Sequence, residues 1–195
     1  MKKIVLGLLV ISLLIFSGSA MAQNQGYFQA QIGLDVFGDL DVNVDNFSES
    51  EDVETGVSLI GEYKVPMYNS QWTWGGGITY QLERAEDVDL GATDFNYTSF
   101  YGLAQYEVSD NPLYIVGKLG YNTLSVDVPI DVNYDESGGL YYGVGAGYNF
   151  GEDENYVFEI LYSVNNGELD VSGPDGTETI DLEYSKFTAS VGMKF

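Results

Sequence analysis

Along most of the chain, apolar and polar residues alternate with a period of two, the pattern of strands that show different faces to different surroundings. The last five residues, Val191-Gly192-Met193-Lys194-Phe195, carry it plainly. The same alternation closes the segments 61–65, 104–108 and 146–150. The final residues of these four segments lie 43, 42 and 45 positions apart. A unit of that length holds two strands and their connections, so the pattern predicts four hairpins and eight strands.

Taken in order, the first strand spans 26–37, with Phe28, Ala30, Ile32, Leu34 and Val36 on one face and Gln29, Gln31, Gly33 and Asp35 on the other. The second, over 55–65, sets Val57, Leu59, Tyr63 and Val65 against Ser58 and Glu62. In the third, Trp72, Trp74, Ile78, Tyr80 and Leu82 oppose Thr73, Gly75, Gly77, Thr79 and Gln81. The fourth (96–108) aligns Phe100, Gly102, Ala104, Tyr106 and Val108; the fifth (113–124) sets Ile115, Leu119 and Tyr121 against Lys118, Gly120 and Asn122. The sixth alternates Leu140, Tyr142, Val144, Ala146, Tyr148 and Phe150 with Tyr141, three glycines and Asn149. The seventh sets Phe158, Ile160, Tyr162 and Val164 against Glu159 and Ser163. The eighth sets Phe187, Ala189, Val191, Met193 and Phe195 against Lys186, Thr188, Ser190, Gly192 and Lys194.

Connections alternate in size. Short turns follow the second, fourth and sixth strands; long acidic stretches at 38–54, 83–94, 125–137 and 166–178 follow the others. Several of these stretches keep alternating, so strands are expected to continue past the bilayer as a protruding sheet. A soluble lipocalin-like barrel, the competing reading, needs its apolar face inward. Here that face is heavy in Tyr and Trp and would overfill the interior, whereas Gln, Gly, Ser and Thr suit a lumen. The prediction is therefore an all-β, eight-stranded antiparallel up-and-down transmembrane β-barrel with short periplasmic turns and long acidic extracellular loops.

Residues 1–22 form a separate unit: Lys2 and Lys3, an apolar run from Ile4 to Phe16, and Ala20-Met21-Ala22 before Gln23. That is the layout of a cleaved secretory signal, and the run is too short for a membrane helix. The expected mature domain is 23–195. It has no Cys and no His, so disulfides do not staple it. Two of the seven basic residues fall in the leader and none of the thirty acids does, which leaves five basic against thirty acidic groups, a net charge of −25. Nucleic acid, which needs a cationic surface, is excluded as a partner.

On the hairpin repeat, the Tyr-x-Val or Tyr-x-Phe strand ends and the terminal Phe195, the chain resembles the small OmpA/OmpX-type outer-membrane barrels. The resemblance implies a bacterial outer-membrane location, surrounded by lipid and lipopolysaccharide. It also implies that the last strand is read by the barrel-assembly machinery, with Phe187, Ala189, Val191, Met193 and Phe195 as the membrane-insertion signal. The peptidoglycan-binding role of OmpA belongs to a further domain and is not expected here.

Eight strands enclose little more than their own side chains. Glu62, Lys118, Glu159, Lys186 and Lys194 fall on the lumen face, with Glu83 and Arg84 near its outer rim. Charges in so narrow a space are expected to pair, as a plug or as a gate whose pairs exchange. Inward glycines leave room for isolated waters. Tyr63, Trp72, Trp74, Tyr106 and Tyr148 are placed at the inner interface, where aromatic rings favour the headgroup zone. Phe100, Tyr121, Tyr142 and Tyr162 lie higher.

Candidate chemistry changes this picture little. Without histidine, no Ser–His or Asp–His catalytic site exists. Asp39-x-Asp41-x-Asn43-x-Asp45 lacks the glycine and the glutamate of a calcium loop: Val44 and Ser50 stand there. No cofactor is expected. The sequence points to a monomeric, non-enzymatic envelope protein whose acidic loops serve adhesion or partner binding. A narrow gated pore is the alternative and a soluble binder the minor one.

Overall fold

The computed structural model describes residues 26–195 apart from 45–46, 83, 86–93, 109–110, 128–132 and 174–175. The leader, Glu83, most of the stretch 83–94 and the Val128-Pro129-Ile130 run lie outside the described residues. Among the described residues ten strand segments occur: β1 (Tyr27–Val44), β2 (Phe47–Val53), β3 (Gly56–Pro66), β4 (Trp72–Gln81), β5 (Arg84–Ala85), β6 (Asp94–Glu107), β7 (Leu113–Asp127), β8 (Asn133–Phe150), β9 (Tyr156–Gly173) and β10 (Gly176–Lys194).

These segments make eight staves. β2 continues β3 in one register against β1, with Gly38 opposite Val53 and Asp35 opposite Gly56. β5 follows β4 and pairs with β6. The antiparallel ring runs β1-β3-β4-β6-β7-β8-β9-β10 and closes where β10 pairs with β1.

Polarity is inside out through the membrane-spanning part. Leu140 and Val144 are 52% and 64% exposed, whereas Gln31 and Ser190 are 5% and 2% exposed. A water-soluble barrel would reverse these, so the soluble reading is excluded. Tight turns close one end: Met67 N–H donates to Trp72 O at 2.8 Å and Val108 N–H to Leu113 O at 2.9 Å.

At the other end the polarity inverts again, because the surroundings outside become water. On β1, Val36 pairs with Phe187 but Asp39 pairs with Ser185, so Phe37 and Gly38 share one partner position. On β8, Gly138 pairs with Gly167 but Tyr141 with Asn165, a second bulge at the same end. An extra residue swaps the faces of the strand beyond it. Leu34 accordingly points out at 49% exposure, while Leu40, six residues on, is buried at 5%. β6, β7 and β10 reach the same result by changing residue type on one face: Ser99 gives way to Tyr97 and Phe95, Asn122 to Leu124 and Val126, Lys186 to Tyr184 and Leu182. Leu40, Val53, Phe95, Tyr97, Leu124 and Tyr184 form one apolar cluster, with Val42, Val126 and Leu182 against it.

Around this cluster two ladders of the described strands end, although Val126 N–H still donates to Glu136 between β7 and β8 at 2.8 Å. The β7–β8 ladder stops at Tyr121 opposite Leu140. The β3–β4 ladder stops at Ser58 opposite Gln81, with one more bond from Leu82 N–H to Val57 O. Beyond these points, the described strands form a five-strand leaf (β8-β9-β10-β1-β2) and a three-strand leaf (β5-β6-β7) with the cluster between them. The extension is a small sandwich standing on the barrel.

The expected continuation of strands past the bilayer is found at 38–54 and 166–178, which are largely strand; in the first, acids alternate with the inward Leu40 and Val42. One expectation is corrected. Val164, expected outward, is only 2% exposed. A bulge bends and twists its strand, and Val164 lies beside the bent stretch of β8, opposite Tyr142 and Ser185.

Candidate functional site

The lumen holds two tiers of buried charge. In the larger, Glu62 on β3 and Glu159 on β9 share the Lys118 ammonium of β7, at 2.7 and 2.8 Å. Glu62 also takes Lys64 at 2.9 Å. The spare valences are filled: Tyr101 donates its hydroxyl to Glu62 and Tyr114 to Glu159, each at 2.9 Å. Gln29 donates to Glu62 at 3.3 Å, and Lys64 donates to Gln105 at 3.1 Å. In the smaller tier, Lys186 pairs with Asp35 at 2.9 Å. Asp35 also accepts hydrogen bonds from Ser58 and Thr188.

The six charged groups balance, three carboxylates against three ammoniums, and their side chains are 0–3% exposed. Burying a charge is tolerable only when partners replace water; here each carboxylate takes at least one ammonium and at least one hydroxyl.

Rings fill the remaining space. Lys118 lies 5.2 Å from the centre of the Tyr101 ring and Lys64 5.5 Å from that of Tyr114. Tyr101, Leu103, Tyr114, Val116, Tyr141, Val157 and Leu161 form a second apolar cluster, inside the barrel. Two of the inward glycines make room for these rings. A Cβ on Gly147 would come within 2.1 Å of Tyr114 Cζ, and one on Gly77 within 3.0 Å of Tyr101 Cε2.

Of the expected network, Glu62, Lys118 and Glu159 come together, and Lys186 joins a separate pair. Lys194 belongs to neither: it sits half-buried at the turn end, over the Tyr27 ring at 5.3 Å. It lies at the last position of β10, too far along the stave to reach the carboxylates. Lys64 and Asp35 are the members sequence reading left out of the network. Strand parity already placed both on the lumen face. Among the described residues no group of His, Cys, Asp and Glu is arranged to hold a metal ion.

The outer surface fits a lipid boundary. Tyr63, Trp72, Trp74 and Tyr148 are exposed and Tyr106 is half-buried. Trp72 stacks on Trp74 at 6.2 Å and meets Tyr106 edge-on at 5.1 Å. Along β10, Phe187 and Val191 face outward, followed by Met193 and, just past the strand, Phe195; Ala189 is half-buried. Phe195 is tied to β1 by reciprocal backbone bonds with Phe28 at 2.8 and 3.2 Å.

A family model described as the outer membrane protein beta-barrel domain matches residues 8–195. The chain belongs to that family. Its place is the bacterial outer membrane, and it is a small barrel of the OmpA/OmpX type. The outer membrane protein OprG of Pseudomonas aeruginosa superposes with a TM-score of 0.51 at 15% identity, over 88% of this chain and 97% of that one. Neisserial surface protein A gives 0.50 at 18% identity, over 87% and 97%. The outer membrane protein AlkL, solved in lipid bilayers, gives 0.51 at 14% identity, over 88% and 92%. At these identities the likeness extends to the fold alone. No curated protein matches the chain in sequence.

Proposed function

We propose that this barrel is a non-enzymatic, non-conducting envelope protein whose working surface is its extracellular sandwich, offered to an external partner. The observation that carries this reading is the neutral, hydrogen-bonded plug: the Glu62, Lys64 and Lys118 side chains are 0% exposed and Glu159 1%. An ion would have to break several short, buried pairs to pass, at a cost of several kcal/mol. In this reading lipid and lipopolysaccharide surround a monomer, and the barrel-assembly machinery inserts it through β10.

Planar-bilayer recording on the purified protein tests the plug. Expected are no discrete conductance steps from wild type or from Lys118→Ala. The narrow gated pore keeps one observation in its favour, a single ammonium shared by two carboxylates, which is a geometry suited to exchange. Discrete steps that change with Lys118→Ala would establish it and end the non-conducting reading.

A further inference from the structure

Chemistry that neither the lumen nor the sandwich uses lies at the turn end. With no cysteine or histidine, the soft nucleophiles of the chain are its methionine sulfurs, and after residue 22 these are Met67 and Met193. Met193 is in β10 and faces outward. Met67 is half-buried in the short turn between β3 and β4. Its N–H donates to Trp72 O at 2.8 Å, which fixes its backbone.

The surroundings of its sulfur set Met67 apart. Val65 stands opposite Trp74 in the β3–β4 ladder, so Met67, two residues on, is the diagonal neighbour of that ring. Trp74 Nε1–H donates to Met67 Sδ at 2.8 Å. A thioether is a weak acceptor, and an indole at a membrane boundary has water and headgroups as stronger ones. Trp74 is 50% exposed and stacks on Trp72, itself 43% exposed. The sulfur therefore lies at the wet border of the aromatic girdle, open to small polar reagents, with a hydrogen-bond donor already aimed at it.

We propose that Met67 is a site of oxidation by peroxide, and that Trp74 positions the sulfur and holds the sulfoxide. A sulfur lone pair attacks one oxygen of hydrogen peroxide. The S–O bond forms, the O–O bond breaks, and the proton of the transferred oxygen passes to the departing hydroxide, which leaves as water. Sulfur loses two electrons and the peroxide gains them. Negative charge gathers on the arriving oxygen, where a positioned N–H stabilises it. The sulfoxide oxygen is a better acceptor than the sulfur that carries it, so the bond to Trp74 outlasts the reaction. At this border the new polar group stays hydrated, whereas on Met193 it would face lipid. A methionine sulfoxide reductase, drawing on two thiols, returns the thioether and releases water. The site is at the opposite end of the barrel from the sandwich, so it stands whether or not the sandwich binds a partner.

The test treats the full protein in lipid vesicles with hydrogen peroxide and follows sulfoxide at each methionine by peptide mass spectrometry. Met67 is expected to oxidise before Met193. Trp74→Phe keeps a ring in the girdle but removes the donor. It is expected to slow oxidation of Met67 about fivefold, the worth of one hydrogen bond, and to leave Met193 as it was. Trp72→Phe leaves Trp74 as the one indole, and its emission is expected to shift as Met67 oxidises. With Met67→Leu added, peroxide should leave that emission unchanged. Met193 oxidising first, or at the same rate, would overturn the site. An unchanged Met67 rate in Trp74→Phe would overturn the role given to Trp74, as would an equal emission shift with and without Met67. The emission pair decides the matter should Trp74→Phe not refold.

Discussion

Lys118 carries more of the lumen than any other side chain, because it neutralises two carboxylates from different staves. Replacing it with Met leaves Glu62 with Lys64, but leaves Glu159 with only the Tyr114 hydroxyl. Breaking a buried pair from one side costs about 3–5 kcal/mol, whereas removing both charges is often close to neutral. Lys118→Met should therefore lower stability by about that amount in urea titrations of protein refolded into lipid vesicles, and Lys118→Met/Glu159→Gln should recover most of it. Lys194→Met removes only a ring contact and should cost about 1 kcal/mol or less. If the single and double variants lose the same amount, the network is not the coupled unit described. The two-residue period made most of this site legible, since it assigns each residue to a face. It could not assign height: nothing local to Lys194 shows that it ends at the rim, and nothing local to Asp35 shows that the Lys186 side chain reaches it.

Strand parity was legible from the sequence wherever the ladder is regular, and failed where one residue is added. Phe37 takes a positive φ of 51° and is 82% exposed; with Gly38 it forms the β1 bulge. In the sequence the same pair reads as the end of a strand and the start of an acidic loop, because a bulge leaves no compositional mark. Its effect is large, since it turns Leu40 and Val42 from the outside of the sandwich to the inside. Deleting Phe37 should restore the simple alternation and expose those side chains. The expected outcome is a barrel that still inserts but whose sandwich is cut by proteinase K at sites mapped by mass spectrometry. A wild-type digestion pattern would show that the bulge does not set the face. Phe95→Ala, which leaves the strands in register but hollows the same cluster, should cost about 3–5 kcal/mol and speed amide exchange in the extracellular half of β10.

At the scale of the molecule, charge is sorted by sign. Of the five basic residues after the leader, Lys64, Lys118 and Lys186 are buried in the lumen, Lys194 lies at the turn-end rim and Arg84 is in β5 of the three-strand leaf, so the five-strand leaf is left with unopposed acids. The two-residue period already puts Lys118, Lys186 and Lys194 on the lumen face; it does not show that the acids beyond the bulges meet one another in ladder positions. The repulsion is local, held in ladder positions such as Asp41 opposite Glu183 and Glu168 opposite Asp181. Exposed charges interact over a screening length of about 30 Å at 0.01 M salt and about 8 Å at 0.15 M. The leaf should therefore gain stability as salt rises over that range, while the neutral lumen, buried and internally paired, should not respond. Amide exchange measured in zwitterionic vesicles should slow with salt in the extracellular parts of β1 and β10 and stay constant beside Lys118. Asp41→Asn should raise the stability of the leaf by about 0.5–1 kcal/mol at low salt and flatten its salt response. If salt slows exchange equally in both regions, it acts on the whole barrel, and the acid pairs are not the source of the strain.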